Sequence, residues 1–195
     1  MMVALVCGVG INDRSCPAKV NGNHTKEYKV WRSMLNRVYG KAYLENKPSY
    51  LGCSVSDTFL YYHLFYNWCQ IQTGFNAIGY SLDKDLLIKG NKLYSADTCV
   101  FIPNSINSLL TRSTSARGDY PIGVTKASKS NNFEANYSID NKRKYIGTYT
   151  TPEQAFQAYK IAKEAYIKEQ AELYKDSIDP RAYLALLNYE VDIDD

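Results

Sequence analysis

The sequence predicts an α+β protein with two structured regions, and three observations predict it. Residues Phe133 to Ile139 alternate apolar and polar with a period of two, as a half-buried strand does. Thr151-Pro152-Glu153-Gln154 then opens a long helical stripe: Thr151 can cap, Pro152 suits the first helical position and Gln154 completes a capping box. Earlier, residues 82–110 read strand, turn, strand, helix. A chain of 195 residues can bury one ordinary core or two small ones, and 45% apolar with 22% charged residues argues against wholesale disorder.

The elements follow in order. Lys26 to Tyr39 has helical spacing, with Tyr28, Trp31, Leu35 and Val38 on one stripe, Met34 beside it, and Arg32 and Arg37 off it. Asn46 to Gly52 is turn-rich, and Asp57 is the expected N-cap of a second helix running through Trp68. Leu82 to Leu87 and Thr98 to Ile102 read as short strands around a Gly90-Asn91 turn, with a short helix over Asn104 to Leu110. Residues 1–110 thus form a ββα region with flanking helices. Residues 111–117 are small, polar and basic, and read as a linker. In residues 118–171, Ile122 to Lys126, Phe133 to Ile139 and Lys142 to Tyr149 should form a three-stranded antiparallel sheet, with Asp140-Asn141 as the hairpin turn. The helix bearing Ala155, Ala158, Tyr159, Ala162, Ala165 and Tyr166 should cover its Phe133, Ala135, Tyr137 and Ile139 face. Residues 172–195 form an acidic tail in which Tyr183, Leu184, Leu186, Leu187 and Tyr189 fit a short helix.

Charge is uneven. The tail holds seven acids and two bases, a net −5, which leaves +8 on residues 1–171 of a chain whose total is +3. A basic body suits a polyanionic partner such as double-stranded DNA, while the tail and the aromatic first half suit a protein partner. The sheet face that the helix leaves uncovered, with Arg117, Lys126, Lys129, Lys142, Arg143 and Lys144 on or near its strands and turns, is the expected DNA-binding surface. Neither a transmembrane helix nor a secretory signal is visible, which points to the cytoplasm. Five cysteines at wide spacing, with no Cys-x-x-Cys pair, argue against a disulfide framework. Cys16, Cys53 and Cys99 with His24 or His63 are residue types for a structural zinc, but small buried hydrophobes are the better reading. His63 lies in an aromatic run, Tyr61 to Trp68, that reads as packing.

Gly123-Val124, Phe133-x-Ala135-x-Tyr137, Tyr145-Ile146-Gly147-Thr148-Tyr149, Thr151-Pro152-Glu153-Gln154-Ala155 and Ala158-Tyr159 resemble an AP2-type DNA-binding domain. The resemblance implies DNA binding through the sheet, although Thr125 and Ser138 stand where the family usually carries base-reading arginines. Trp31-x-x-Met34-x-x-Arg37-x-Tyr39, Tyr50-x-Gly52-Cys53, Leu82-Asp83-Lys84-Asp85, Tyr94-Ser95-x-Asp97-x-Cys99-x-Phe101 and Asn107 resemble phage HNH homing endonucleases, which join a ββα nuclease module to an AP2 domain. For a phage-encoded protein the compartment is the host cytoplasm.

The HNH motif is degenerate. Lys84 stands where the resemblance places the His general base, Thr98 near the first Asn, and only Asn107 matches, as the helix residue. A lysine is protonated near neutral pH unless strongly desolvated. Asp83 or Asp85 with Asn107 supplies hard oxygens for magnesium or manganese, and Lys84 a cation for the scissile phosphate. An exposed charged turn or local ion pair at Asp83-Lys84-Asp85 is the competing reading. Two functions stay open: a metal-dependent DNA nickase of the HNH kind, and an inactive nuclease scaffold acting as a DNA-binding or protein-binding regulator or inhibitor.

Overall fold

The computed structural model describes residues 5–110, 119–139 and 142–193. It is a mixed α+β chain in two compact units, one running to Ile102 and the other from Pro103. The division falls ahead of the Asn104–Leu110 helix; the sequence-based linker at 111–117 lies outside the described residues.

The first unit opens with β1 (Lys19–Val20) and β2 (Asn23–His24), an antiparallel pair. Helix α1 (Lys26–Tyr39) follows, capped by Thr25, whose hydroxyl accepts from the Tyr28 N–H at 3.2 Å. Of the expected stripe Trp31, Leu35 and Val38 are buried, as is Met34 beside it, while Tyr28 is partly exposed. Helix α2 (Lys41–Asn46) and a 3-10 turn (Pro48–Tyr50) lead to β3 (Ser54–Val55).

The expected second helix divides into α3 (Asp57–Leu60) and α4 (Tyr62–Gln70). Ser56 holds the N-cap position, and Asp57 is the first helical residue. The division has a local cause. Ile11 pairs with Tyr61: its N–H donates to the Leu60 carbonyl at 2.8 Å, and its carbonyl accepts the Tyr62 N–H at 2.9 Å. Tyr61 is therefore extended, and the helix restarts beyond it.

Strand β4 (Tyr80–Asp83) pairs with β6 (Val100–Pro103), while β5 (Leu93–Tyr94) pairs in parallel with β3. The expected strand through Leu87 stops at Asp83 because the Asp83 carboxylate accepts the N–H groups of Asp85 and Leu86, at 2.9 and 2.7 Å, and turns the chain. The core of this unit is aromatic. Trp31, Phe59, Tyr62, Phe65, Phe75 and Phe101 are all essentially inaccessible, each burial stabilising by roughly 1.5–3 kcal/mol. The Trp31 indole N–H donates to the Phe59 carbonyl at 2.7 Å, so its burial leaves no polar group unmet.

The second unit begins with α5 (Asn104–Leu110). Strands β7 (Val124–Lys126), β8 (Phe133–Ile139) and β9 (Lys142–Tyr149) form an antiparallel sheet in chain order. The Asp140-Asn141 turn lies outside the described residues. Helix α6 (Pro152–Tyr174) packs across one face, burying Ala155, Phe156 and Tyr159 with Val124, Ala135 and Tyr137. Thr151 caps it by accepting the Gln154 N–H at 3.2 Å, but the Gln154 side chain accepts from the Thr150 hydroxyl at 2.8 Å, so the capping box is half made. Helix α7 (Pro180–Leu187) realises the short helix expected in the tail, and buries Ala182 and Leu186. Val191 then returns to the sheet core. Glu164 accepts the Val191 N–H at 2.9 Å and Lys160 donates to the Val191 carbonyl at 2.8 Å, which ties the returning chain to α6.

Candidate nucleic-acid interface

Cross-strand register decides which side chains share a face. The pairs Thr125↔Glu134, Glu134↔Thr148, Asn136↔Tyr145 and Ser138↔Arg143 lie on the face away from α6. There, Arg143 donates to Glu134 and to the Thr125 hydroxyl, both at 3.1 Å, and the Tyr145 and Thr148 hydroxyls bond at 2.7 Å. Asn136 reaches Thr125 from the centre of the face at 3.5 Å, and its amide oxygen is buried and unpartnered. The helix-free face is thus polar, with an exposed Tyr145 and the Arg143 charge held against Glu134.

The pleat divides the expected cations. Lys126 pairs with Phe133, Lys144 with Tyr137 and Lys142 with Ile139, so these lysines belong to the α6 side of the sheet and emerge at its rim. The Lys126 ammonium lies 4.5 Å from the Phe133 ring centre, and that of Lys144 lies 5.7 Å from the Tyr137 ring centre. Lys129 is exposed in the loop between β7 and β8, and Arg117 lies outside the described residues. Of the six residues, Arg143 alone is seen to stand on the helix-free face. The expectation of one uncovered face bearing the cations together is corrected to a polar face with a lysine rim.

Gly123 shapes the entry to this sheet. Its φ of 76° is in the left-handed region, and a Cβ there would stand 2.1 Å from the Tyr159 ring of α6. The glycine therefore lets β7 and α6 approach closely, which gives the Gly123-Val124 pair its physical reason.

The Asp83-Lys84-Asp85 turn is internally committed. Lys84 is 5% exposed, and its ammonium donates to Asp85 and, at 2.7 Å, to the Asn91 carbonyl. The Asn91 amide donates back to the carbonyls of Lys84 and Leu93, at 2.8 and 2.6 Å. Burial pushes the Asp83 carboxyl above the ordinary range, against the two N–H groups that favour its charge. Asp85 is the exposed carboxylate of the three-residue turn. Asn107 lies on α5 in the second unit, whereas Asp83 and Asp85 lie in the first.

The zinc candidates show other occupations. Cys99 is buried, with its thiol pushed up to about 12 by burial, and Cys16 and Cys53 pack at the edge of the aromatic core. The His24 imidazole stacks on Tyr28, and Nδ1 of His63 lies 2.9 Å from an Asp13 oxygen. Among the described residues, no group of three His, Cys, Asp or Glu is placed to hold a metal ion. No described helix is long and apolar enough to cross a membrane. The Asp13–His63 pair escaped the sequence reading, because it joins positions that no local spacing links.

No protein-family model, curated protein or solved structure matches the chain.

Proposed function

We propose that this chain binds double-stranded DNA through an AP2-like sheet, on an HNH-like scaffold whose motif residues do structural work. The observation that carries the reading is the β7–β8–β9 sheet: α6 covers one face, while the other is polar and carries Arg143, with the exposed Lys126, Lys142 and Lys144 on the two edge strands. Phosphate contacts from such a rim give affinity with little sequence preference, and the polar face lies against the groove between them. Thr125 and Ser138 in place of base-reading arginines fit weak specificity, with Arg143 beside them restrained by Glu134.

Support for a scaffold role in the first unit comes from Lys84. A buried ammonium satisfied by Asp85 and the Asn91 carbonyl closes a turn, and does not serve as the base that an HNH histidine provides. The test is incubation of the full chain with supercoiled plasmid, with and without magnesium or manganese, scored for retarded and for nicked DNA. Retardation without nicking is the expected result. Metal-dependent nicking that is lost in Asp85→Ala or Asn107→Ala would instead establish the nickase. Absence of any retardation would remove the DNA reading.

A further inference from the structure

Strand β9 is paired on one side only: the sheet order is β7-β8-β9, and among the described residues no further strand lies beyond it. Its eight residues therefore present a second row of backbone N–H and C=O groups that an added strand can pair. Side chains are unevenly placed along that edge. Lys142 and Lys144 are exposed on the α6 side. Ile146 has no register partner on β8, and this bulge shifts the alternation by one residue, so Gly147 and Tyr149 share that side with the two lysines. Beside Tyr149 the start of α6 forms an open, largely apolar groove of about 610 Å³, lined by Tyr149, Glu153, Gln154, Gln157, Ala158 and Ile161. Ile161 is 69% exposed there, although Ala155, Phe156 and Tyr159 of the same helix are buried. One edge thus offers two cations where β9 begins and an apolar groove where it ends.

Charge selects the occupant. Strand β9 carries Lys142, Arg143 and Lys144 and no acid. Two copies of β9 laid together would each bring these cations to one ladder, which is how edge lysines discourage self-pairing. A strand carrying acids meets the same edge favourably. The chain's own acidic tail is committed elsewhere: Val191 is buried in the sheet core, and its backbone is tied to Lys160 and Glu164 of α6. We propose that the β9 edge is a docking site for an extended acidic segment of a partner protein. The segment adds as a fourth strand, sets alternate acids against Lys142 and Lys144, and places alternate apolar side chains in the groove at Tyr149 and Ile161. Glu153, in the groove wall, disfavours acids at that end and so fixes which half of the segment is acidic. The DNA reading concerns the opposite face and shares only lysines with this site, so either can fail alone.

The probe is a fluorescent synthetic peptide as long as β9, made in both chain directions. Glutamate occupies alternate positions of one half, valine alternate positions of the other, and threonine lies between them. Its anisotropy is followed as the full chain is added, and amide hydrogen exchange is measured with and without it. At least one direction should bind, with new protection on the β9 amides. N-methylation of alternate peptide nitrogens should abolish binding in one phase and spare it in the other, as strand addition requires. Lys142→Glu with Lys144→Glu should weaken binding of the acidic peptide about tenfold and strengthen that of a peptide with lysine in place of glutamate. A general loss of fold would not produce that exchange of preference. Ile161→Asp should weaken both peptides, and all three substituted positions are exposed, so the fold is kept.

Peptide binding by a chain that fails to retard duplex DNA leaves this site standing and removes the DNA reading. Duplex binding that protects the β9 amides, with neither peptide direction bound up to about 1 mM, gives the lysines to DNA alone and overturns the proposal. A wild-type chain that is already dimeric with its β9 amides protected gives the edge to a second copy and overturns it too. So does peptide binding that is indifferent both to the charge exchange and to Ile161→Asp.

Discussion

Asp83 carries a half-buried carboxylate whose one oxygen caps two backbone N–H groups. Its carboxyl is raised in the folded state, chiefly by burial, so the native chain binds that proton more readily than the unfolded chain does. The resulting stability is present at low pH and is lost as pH rises through the raised folded value. Asp83→Asn keeps the accepting oxygen and removes the half-buried charge, so it should match or exceed wild-type stability at pH 7. Asp83→Ala orphans both N–H groups and should cost about 1–3 kcal/mol. Urea melts at pH 4.5 and pH 7 check this, with the advantage of Asn over Asp growing toward neutrality. Lys163 gives the opposite case. It lies on the α6 stripe between Tyr159 and Ile167, and burial lowers it to about 8. The folded state binds that proton less readily, so its stability penalty is full below about pH 8 and fades as pH rises toward the ordinary lysine value. Lys163→Met should therefore raise the melting temperature at pH 7, and the gain should shrink above pH 9.

Between β7 and α6 the decisive position is Gly123. Gly123→Ala places a methyl group in left-handed backbone and against the Tyr159 ring, and should cost about 2 kcal/mol or more. A thermal melt within a degree of wild type would contradict that account of the sheet–helix approach. The second unit was the more legible part of the sequence. Its elements are local: β8 and β9 have the bounds expected from alternation, and α6 begins at the Thr151-Pro152 signal and runs on to Tyr174. The cation partition was also legible in principle, since a period of two must send Arg143 to the face opposite Lys142 and Lys144. A net charge summed over a segment does not carry that partition, because residues of both faces contribute to it. The first unit was legible only in α1 and in the order of its later elements. The break at Tyr61 depends on Ile11, the end of β4 on an Asp83 side chain bonding its own backbone, and the pairing of β5 with β3 on tertiary placement. The Asp83-Lys84-Asp85 motif was visible, but that Lys84 points inward to Asn91 was not.

Taken as a whole, the chain pairs an aromatic-cored first unit with a second unit built around one small sheet. Its charge is arranged accordingly, with the rim lysines of the sheet on one element set and the acidic residues gathered toward the end of the chain. If the sheet binds DNA as proposed, Lys126, Lys144 and Arg143 touch its phosphates. The measurement that reaches this most directly is the salt dependence of duplex affinity for the full chain and for the variant carrying Lys126→Ala, Arg143→Ala and Lys144→Ala together. Each phosphate contact contributes about −0.9 to the slope of log affinity against log salt on B-DNA. The expected result is weaker binding and a slope shallower by roughly 3 in the variant, with the thermal melt little changed because all three side chains are exposed. A folded variant that binds duplex with the wild-type affinity and slope would contradict it.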